Sequence, residues 1–302
     1  MIKASAPSKL MLFGEHALLY GEPAIATAVD KRAHVTACEL EKPRIVIERK
    51  ESDESIDISI KDKSDHPIAK AVQATLKHLN KNVGIGIEID NGVTDSAAII
   101  SATTGAVMKL LTDNLIKPEV AEVSYETGKL LNNGTNGIDS TVTTFGGTVM
   151  FEKGQGRTVP IHNDLSFVIG DTGIRSDPNE LIAKIKTVAE DPKVALMVFS
   201  IGSLVRRANN ALIAGNPLEI GRLMDMNHVF LRNLGVSNQS LENIIEAAKE
   251  TGAFGAKITG TGGEGTVIAL TDKPNEVAKA MKEAGAVKAF SIKSNQEGVR
   301  IE

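Results

Sequence analysis

Tryptophan is absent from the 302 residues, and tyrosine occurs only at Tyr20 and Tyr125. A site that reads bases by stacking them on several aromatics is therefore excluded, and any nucleotide must be held chiefly through backbone and aliphatic contacts. Cysteine is nearly absent too. The single one, Cys38, lies in the β-like run HVTACEL, so no disulfide framework of a secreted fold is present. No apolar stretch approaches the roughly 20 residues of a membrane helix, and the N-terminal run lacks the charged, apolar and cleavage regions of a signal peptide. Neither charge sign dominates. The formal net charge is −4 with acids and lysines interspersed, which argues against a nucleic-acid-binding face but leaves room for a compact anion site. With 42% hydrophobic and 24% charged residues the chain can bury one or two ordinary cores. These features describe a cytoplasmic enzyme of two domains, without membrane or nucleic-acid partners.

The first part alternates β-like runs (KASAPSKLMLF, HVTACEL, IVIER, SIDISI) with turn residues, then predicts a helix over 66–80. The strand GIGIEID runs through DNGVTD into a buried helix over 96–111. A further helix over 118–131 precedes NNGTNGIDS and TVTTFGGTVMF, which reads as β-rich. The turn-forming stretch GQGRTVPIHN suggests a boundary, giving domains 1–155 and 156–302. Beyond it SFVIGD, long amphipathic helices within 179–250, strands around KIT and TVIALTD, a helix over 275–284 and the strand AFSIK predict an α+β domain with helices on an antiparallel sheet.

Five constellations carry candidate chemistry. In APSKLMLFGEHALLYGEPAIA, Lys9 can neutralise a transferring phosphoryl group, and Glu15 and His16 can hydrogen-bond a polyol or hydroxy acid. Read on chemistry alone, such residues are more often a solvated strand lysine, for Lys9, and a turn hydrogen-bonder, for His16. In GTNGIDSTVTTFGG, Asp139 is either a general base or a turn cap. In IDNGVTDSAA, Gly92, Thr94, Asp95 and Ser96 stand at a helix N-terminus, where free amides and the helix dipole favour anions. In KITGTGGEG, Gly260, Gly262 and Gly263 let the backbone approach a phosphate or carboxylate closely. In IGDTG, Asp171 and Thr172 suit either substrate contact or an ordinary strand-end turn.

The phrase LFGEH-x-x-x-YGEPAIA resembles the first motif of the GHMP kinases and, among them, is similar to the mevalonate kinases. The resemblance continues through GTNGIDSTVTTFGG, through KITGTGGEG as the third motif with Thr261 and Glu264 in place of an alanine and a glycine, and through VIGDTGIRSDPNELI and GRLMDMNHVFLRNLGVS. It implies an α+β two-domain GHMP kinase fold, with an N-terminal domain like domain 2 of ribosomal protein S5 and a ferredoxin-like C-terminal domain. It also implies transfer of a phosphoryl group from ATP, with Mg2+, to the 5-hydroxyl of (R)-mevalonate. By the same resemblance Lys9 lies beside the acceptor hydroxyl, Asp139 takes its proton, and Glu15 and His16 contact mevalonate, while the loops 92–96 and 260–265 hold phosphates. A homodimer is compatible with this reading, and nothing in the residues specifies one.

The phosphate loop departs from the family. Where I-P-x-G-x-G-L-G-S-S-A-A is usual, this chain reads IDNGVTDSAA, without the proline and the upstream glycine pair. Asp95 as a helix cap competes with a triphosphate for the same donors, or with Ser96 offers oxygen to Mg2+. The family's metal-binding glutamate has no clean counterpart: counting back from Asp139 reaches Gly128 or Lys129, and Glu126 is the nearest acid. Two alternatives stay open, a kinase of another small alcohol (phosphomevalonate, homoserine or a sugar) and a nucleotide-binding regulatory protein with impaired catalysis.

Overall fold

This computed structural model describes residues 1–50, 55–90, 95–131, 136–161, 163–174, 183, 185, 191–260 and 265–302. The chain forms two compact units interleaved in sequence: residues 1–9, 28–147 and 296–302 make one, and residues 10–27 and 148–295 the other.

The first unit is built on a sheet whose order is β12-β1-β2-β5-β3-β4. Its strands are β1 (Ile2–Phe13), β2 (Ala24–Leu40), β3 (Arg44–Arg49), β4 (Ser55–Ser59), β5 (Gly84–Ile89) and β12 (Arg300–Ile301). β5 pairs antiparallel with β2, Val35 opposite Ile89, and parallel with β3, Ile45 opposite Ile85. A parallel neighbour needs a crossover, and α1 (Pro67–His78) supplies it. Alternation buries Ile45 and Ile47 with Ile85, Ile87 and Ile89. Against them pack Ile68, Val72 and Leu76 of α1, and Ala98, Ala102 and Ala106 of α2 (Ser96–Thr112). The four-residue spacing places each set on one helix face. Val120 and Val123 of α3 (Lys117–Leu131) complete this core.

Two segments differ from the sequence reading. In the run TVTTFGGTVMF, read as β-rich, TVTTF belongs to the helix α4 (Ile138–Phe145), whereas TVMF is strand. The Thr141 hydroxyl donates to the Gly137 carbonyl at 2.8 Å and the Thr143 hydroxyl to the Asp139 carbonyl at 2.9 Å, so residues with strand propensity bond back onto the preceding turn. Within the supposed boundary segment, Gln155–Thr158 form β7, a hairpin partner of β6 (Thr148–Glu152).

The second unit holds an antiparallel sheet ordered β11-β8-β10-β9, from β8 (Ser166–Asp171), β9 (Gly255–Ile258), β10 (Thr266–Leu270) and β11 (Lys288–Lys293). Its helices are α5 (Pro192–Ile213), α6 (Pro217–Asn233), α7 (Gln239–Glu250) and α8 (Pro274–Glu283). The side chains of Asp191, Asn216 and Asn238 cap the first three, each accepting from a first-turn amide. Gly221 of α6 and Gly255 of β9 let helix and strand backbones touch, for a Cβ on Gly221 would lie 2.1 Å from the Phe254 carbonyl oxygen.

Candidate active site

β1 carries Lys9 to the start of α2 and α4. The Lys9 amide donates to Asp95 Oδ2 at 3.1 Å, and Lys9 Nζ pairs with Asp139 Oδ1 at 3.0 Å. Asp95 is the N-cap of α2, its Oδ1 accepting from the amides of Ala97 at 3.0 Å and Ala98 at 3.4 Å. Asp139 lies in the first turn of α4, where a carboxylate complements the helix dipole. A hydroxyl contact of 2.7 Å between Ser101 of α2 and Thr143 of α4 fixes the two helices to each other. Lys9 therefore lies between two carboxylates. Burial pushes the Asp95 carboxyl above the usual range, against the opposing pull of the Lys9 charge and of the amides it caps.

Ser96, Ala97, Ser124, Gly128, Asp139 and Ser140 line a cavity of about 110 Å3. Ser96 and Asp139 thus line one cavity, and Gly128, the glycine that counting back had reached, lines it too. Glu126 does not join them. It pairs with Lys129 at 2.9 Å and lines a separate groove with Lys70 and Lys77 of α1. No group of three acidic, histidine or cysteine side chains among the described residues forms a metal cage. One hydroxyl and one lysine-paired carboxylate fit a Mg2+ that arrives on nucleotide phosphates and keeps most of its waters, rather than a resident ion.

In the second unit β1 ends in a tight turn. Gly14 adopts φ +92°, and a Cβ there would lie 2.5 Å from the Ala24 Cα, so no other residue fits without displacing that strand. His16 follows at φ 62°, buried, before a 3-10 turn over Ala17–Tyr20. The turn sends Glu15 inward, where its Oε1 forms an ion pair with Lys257 Nζ of β9. Both side chains are essentially inaccessible, at 1% and 0% exposure, and Oε2 of Glu15 is buried with no hydrogen-bond partner among the described residues. Burial lowers the Lys257 ammonium below its ordinary range, and Glu15 pulls it back up. The sequence reading missed Lys257. Its signal was available, as the lysine directly ahead of the glycine cluster in KITGTGG.

The Thr172 amide donates to the Gly265 carbonyl at 2.8 Å, so the IGDTG strand end adjoins the third glycine motif. Asp171 Oδ1 accepts from the Gly173 amide at 2.8 Å, and Thr172 Oγ1 from the Ile174 amide at 3.2 Å, the contacts of a strand-end turn. Gly260 follows β9 with φ +75°. Gly92, Thr94, Gly262 and Gly263 lie outside the described residues.

Residues 208–287 match the family described as GHMP kinases C terminal. The chain is 36% identical to the mevalonate kinase of Thermococcus sibiricus, covering 100% of this chain and 98% of that protein, and 35% identical to that of Pyrococcus furiosus, covering 99% and 98%. The first alignment extends over 329 residues against 302 here, so the relative carries segments that this chain lacks. The fold is shared with the crystal structure of Methanococcus jannaschii mevalonate kinase, with a TM-score of 0.87, 23% identity and 98% of each chain covered. It is shared also with L. major mevalonate kinase in complex with R-mevalonate, with a TM-score of 0.83, 24% identity, and 99% of this chain and 97% of that one covered. With identity above a third to relatives matched over their full length, the chain belongs to the mevalonate kinase family of the GHMP kinases.

Proposed function

We propose that this protein transfers the γ-phosphoryl group of ATP to the 5-hydroxyl of (R)-mevalonate, giving 5-phosphomevalonate. The ion pair between Lys9 and Asp139, whose carboxylate lines the same cavity as Ser96, is the observation that carries the reading. The acceptor oxygen forms its bond to the γ-phosphorus as the bond from that phosphorus to the β–γ bridging oxygen breaks. ADP leaves with that electron pair, and the hydroxyl proton passes to an oxygen of Asp139. A loose transition state asks little basicity of the carboxylate, so its position matters most. Lys9 stands against the charge that develops on the transferring group. Mg2+ would offset charge on the nucleotide phosphates, and the Ser96 hydroxyl at the cavity wall would be a ligand for it. Glu15 and His16 are assigned to the acceptor, and Asp171, Thr172 and Gly260 to contacts beside the third glycine motif.

A coupled ADP-release assay with mevalonate, phosphomevalonate, homoserine and galactose tests the acceptor. Asp139→Asn is expected to lower kcat on mevalonate by about 10². Turnover near the wild-type rate in that variant would remove the base assignment.

One observation favours a second reading, weakened nucleotide binding. Asp95 already occupies the amides of Lys9, Ala97 and Ala98 that a phosphate could use. Each such hydrogen bond lost to a ligand weakens binding by about 1–3 kcal/mol. Titrating ATP with Mg2+ in a calorimeter separates the readings, because no binding at millimolar nucleotide would favour a regulatory protein.

A further inference from the structure

We propose that Arg32 of β2 is a positioning residue for the phosphoryl transfer: it holds the segment from Gln296 to Val299 against the end of α4 and so sets where Asp139 stands beside Lys9. The proposal rests on the reading of Asp139 as the base and adds what fixes that base in place.

Arg32 serves as a bracket between two stretches of backbone. Its Nε donates to the Ser5 hydroxyl at 2.9 Å and its Nη2 to the Ser5 carbonyl at 3.0 Å. Nη2 also donates to the Gly298 carbonyl at 2.8 Å, and Nη1 to the Glu297 carbonyl at 2.7 Å. A guanidinium presents its donors in a fixed planar fork, so this one side chain sets the distance between β1 and the segment 296–299. Ser5 lies four residues before Lys9 on β1.

The held segment meets both helices of the site. The Gly147 amide donates to the Gln296 carbonyl at 2.8 Å, and the Val299 amide to the Thr144 carbonyl of α4 at 3.1 Å. Between these bonds Gly298 approaches α4 so closely that a Cβ on it would stand 2.2 Å from the Thr144 carbonyl oxygen. The Val299 side chain is buried against Gly105 of α2, where a Cβ would lie 2.9 Å from Val299 Cγ2. The backbone of the segment thus bears on the end of α4, while its valine fills a notch in α2, the helix that Asp95 caps.

α4 has only eight residues, too few to hold a helix in place without packing. Thr144 and Asp139 are about 8 Å apart along its axis, so a shift at one end reaches the other. Arg32 therefore ties the strand that carries Lys9 to the stop against which the Asp139 helix rests. A misplacement of about 1 Å at a reacting group costs on the order of 10² in rate.

The test uses Arg32→Lys, which keeps the charge and loses the fork, and Gly298→Ala, whose methyl group meets the Thr144 carbonyl. The second variant leaves Arg32 intact, so folding of either one suffices. Each is measured alone and with Asp139→Asn, for kcat and for KM of ATP and mevalonate, per folded protein. Alone, each is expected to lower kcat by about 10- to 100-fold with both KM values within about threefold of wild type. Added to Asp139→Asn, each should lower kcat by less than about threefold, because the group it positions has already lost its function. A merely structural Arg32 would lower the thermal midpoint and either leave kcat unchanged or reduce it equally in both backgrounds, and both results overturn the proposal. Crystal structures of the variants give a readout independent of turnover. There α4 is expected to stand about 1 Å from its wild-type place relative to β1, and an α4 that superposes on the wild type overturns the proposal. A wild type that releases no ADP overturns the kinase reading alone, and a shifted α4 then upholds the hold of Arg32 on Asp139 while an unshifted one removes it.

Discussion

Two lysine–carboxylate pairs in this molecule use the same functional groups in opposite surroundings. Lys9 and Asp139 keep 23% and 42% of their side chains exposed, whereas Lys257 and Glu15 keep 0% and 1%. A pair at a wet cavity wall is weakly bound and screened, so either partner can turn to an incoming phosphate or hydroxyl at small cost. A dry pair cannot dissociate without stranding a charge, so it fixes geometry instead of exchanging partners. Exposure therefore separates the pair suited to handling a proton from the pair suited to holding a direction.

The comparison breaks or sharpens at four points. Lys257→Met strands the Glu15 charge and is expected to reduce unfolding free energy by about 3–5 kcal/mol in chemical denaturation, with much of it regained when Glu15→Gln is added. A loss below about 1 kcal/mol would make the buried pair resemble the exposed one. Lys9→Met should lower kcat by about 10²–10³ while leaving the thermal midpoint nearly unchanged, and a large drop in that midpoint would show the exposed pair to be structural. Asp95→Ser keeps a helix cap but removes a negative charge from the donors of α2, so ATP affinity measured with Mg2+ should tighten by roughly tenfold. Weaker nucleotide binding in that variant would mean that Asp95 assists the phosphates.

The smallest effect concerns His228 of α6. Burial lowers its pKa, although its Nε2 lies 3.0 Å from Glu242 Oε1, with Arg232 and Lys257 as further charges around it. The folded state thus gives up this proton more readily than the unfolded state. Stability is expected to be free of this penalty above the ordinary histidine pKa of about 6.5 and to fall as pH drops through that value towards the lower folded one. His228→Gln should flatten that part of the acid limb in denaturant titrations at a series of pH values. An unchanged acid limb would place its origin in the carboxylates.

Much of this was legible in the chain. The Ala, Ile and Met pattern specified a buried helix close to Ser96–Thr112, and the helix expected over 118–131 is Lys117–Leu131. Lys9 stood out by its grouping with Glu15 and His16 in one strand and turn, and Asp139 by its place after a glycine-rich turn. TVTTF was misread because β-branched residues favour strands, and only the bonding of Thr141 and Thr143 to the turn behind them decides for a helix. Lys257 was passed over for a different reason. A lysine in a strand is usually solvated, and its partner lies 242 residues away, so nothing local could mark it as buried. Glu126 was the nearest acid by counting, yet the turn of α3 carries it to another groove, because helical position, not proximity in sequence, decides which cavity a side chain reaches.

The pairing of Ala4 with Ile301 and of Ser5 with Arg300 has a consequence for synthesis. β1 waits for a strand made some 300 residues later, so the sheet of the first unit gains β12 only after the whole of the second unit has been translated. At about 5–20 residues per second that wait lasts on the order of tens of seconds, with one edge of β1 lacking this partner. Nascent β1 is therefore the segment where a chaperone, or a mispaired strand from a neighbouring chain, has the longest opportunity to bind.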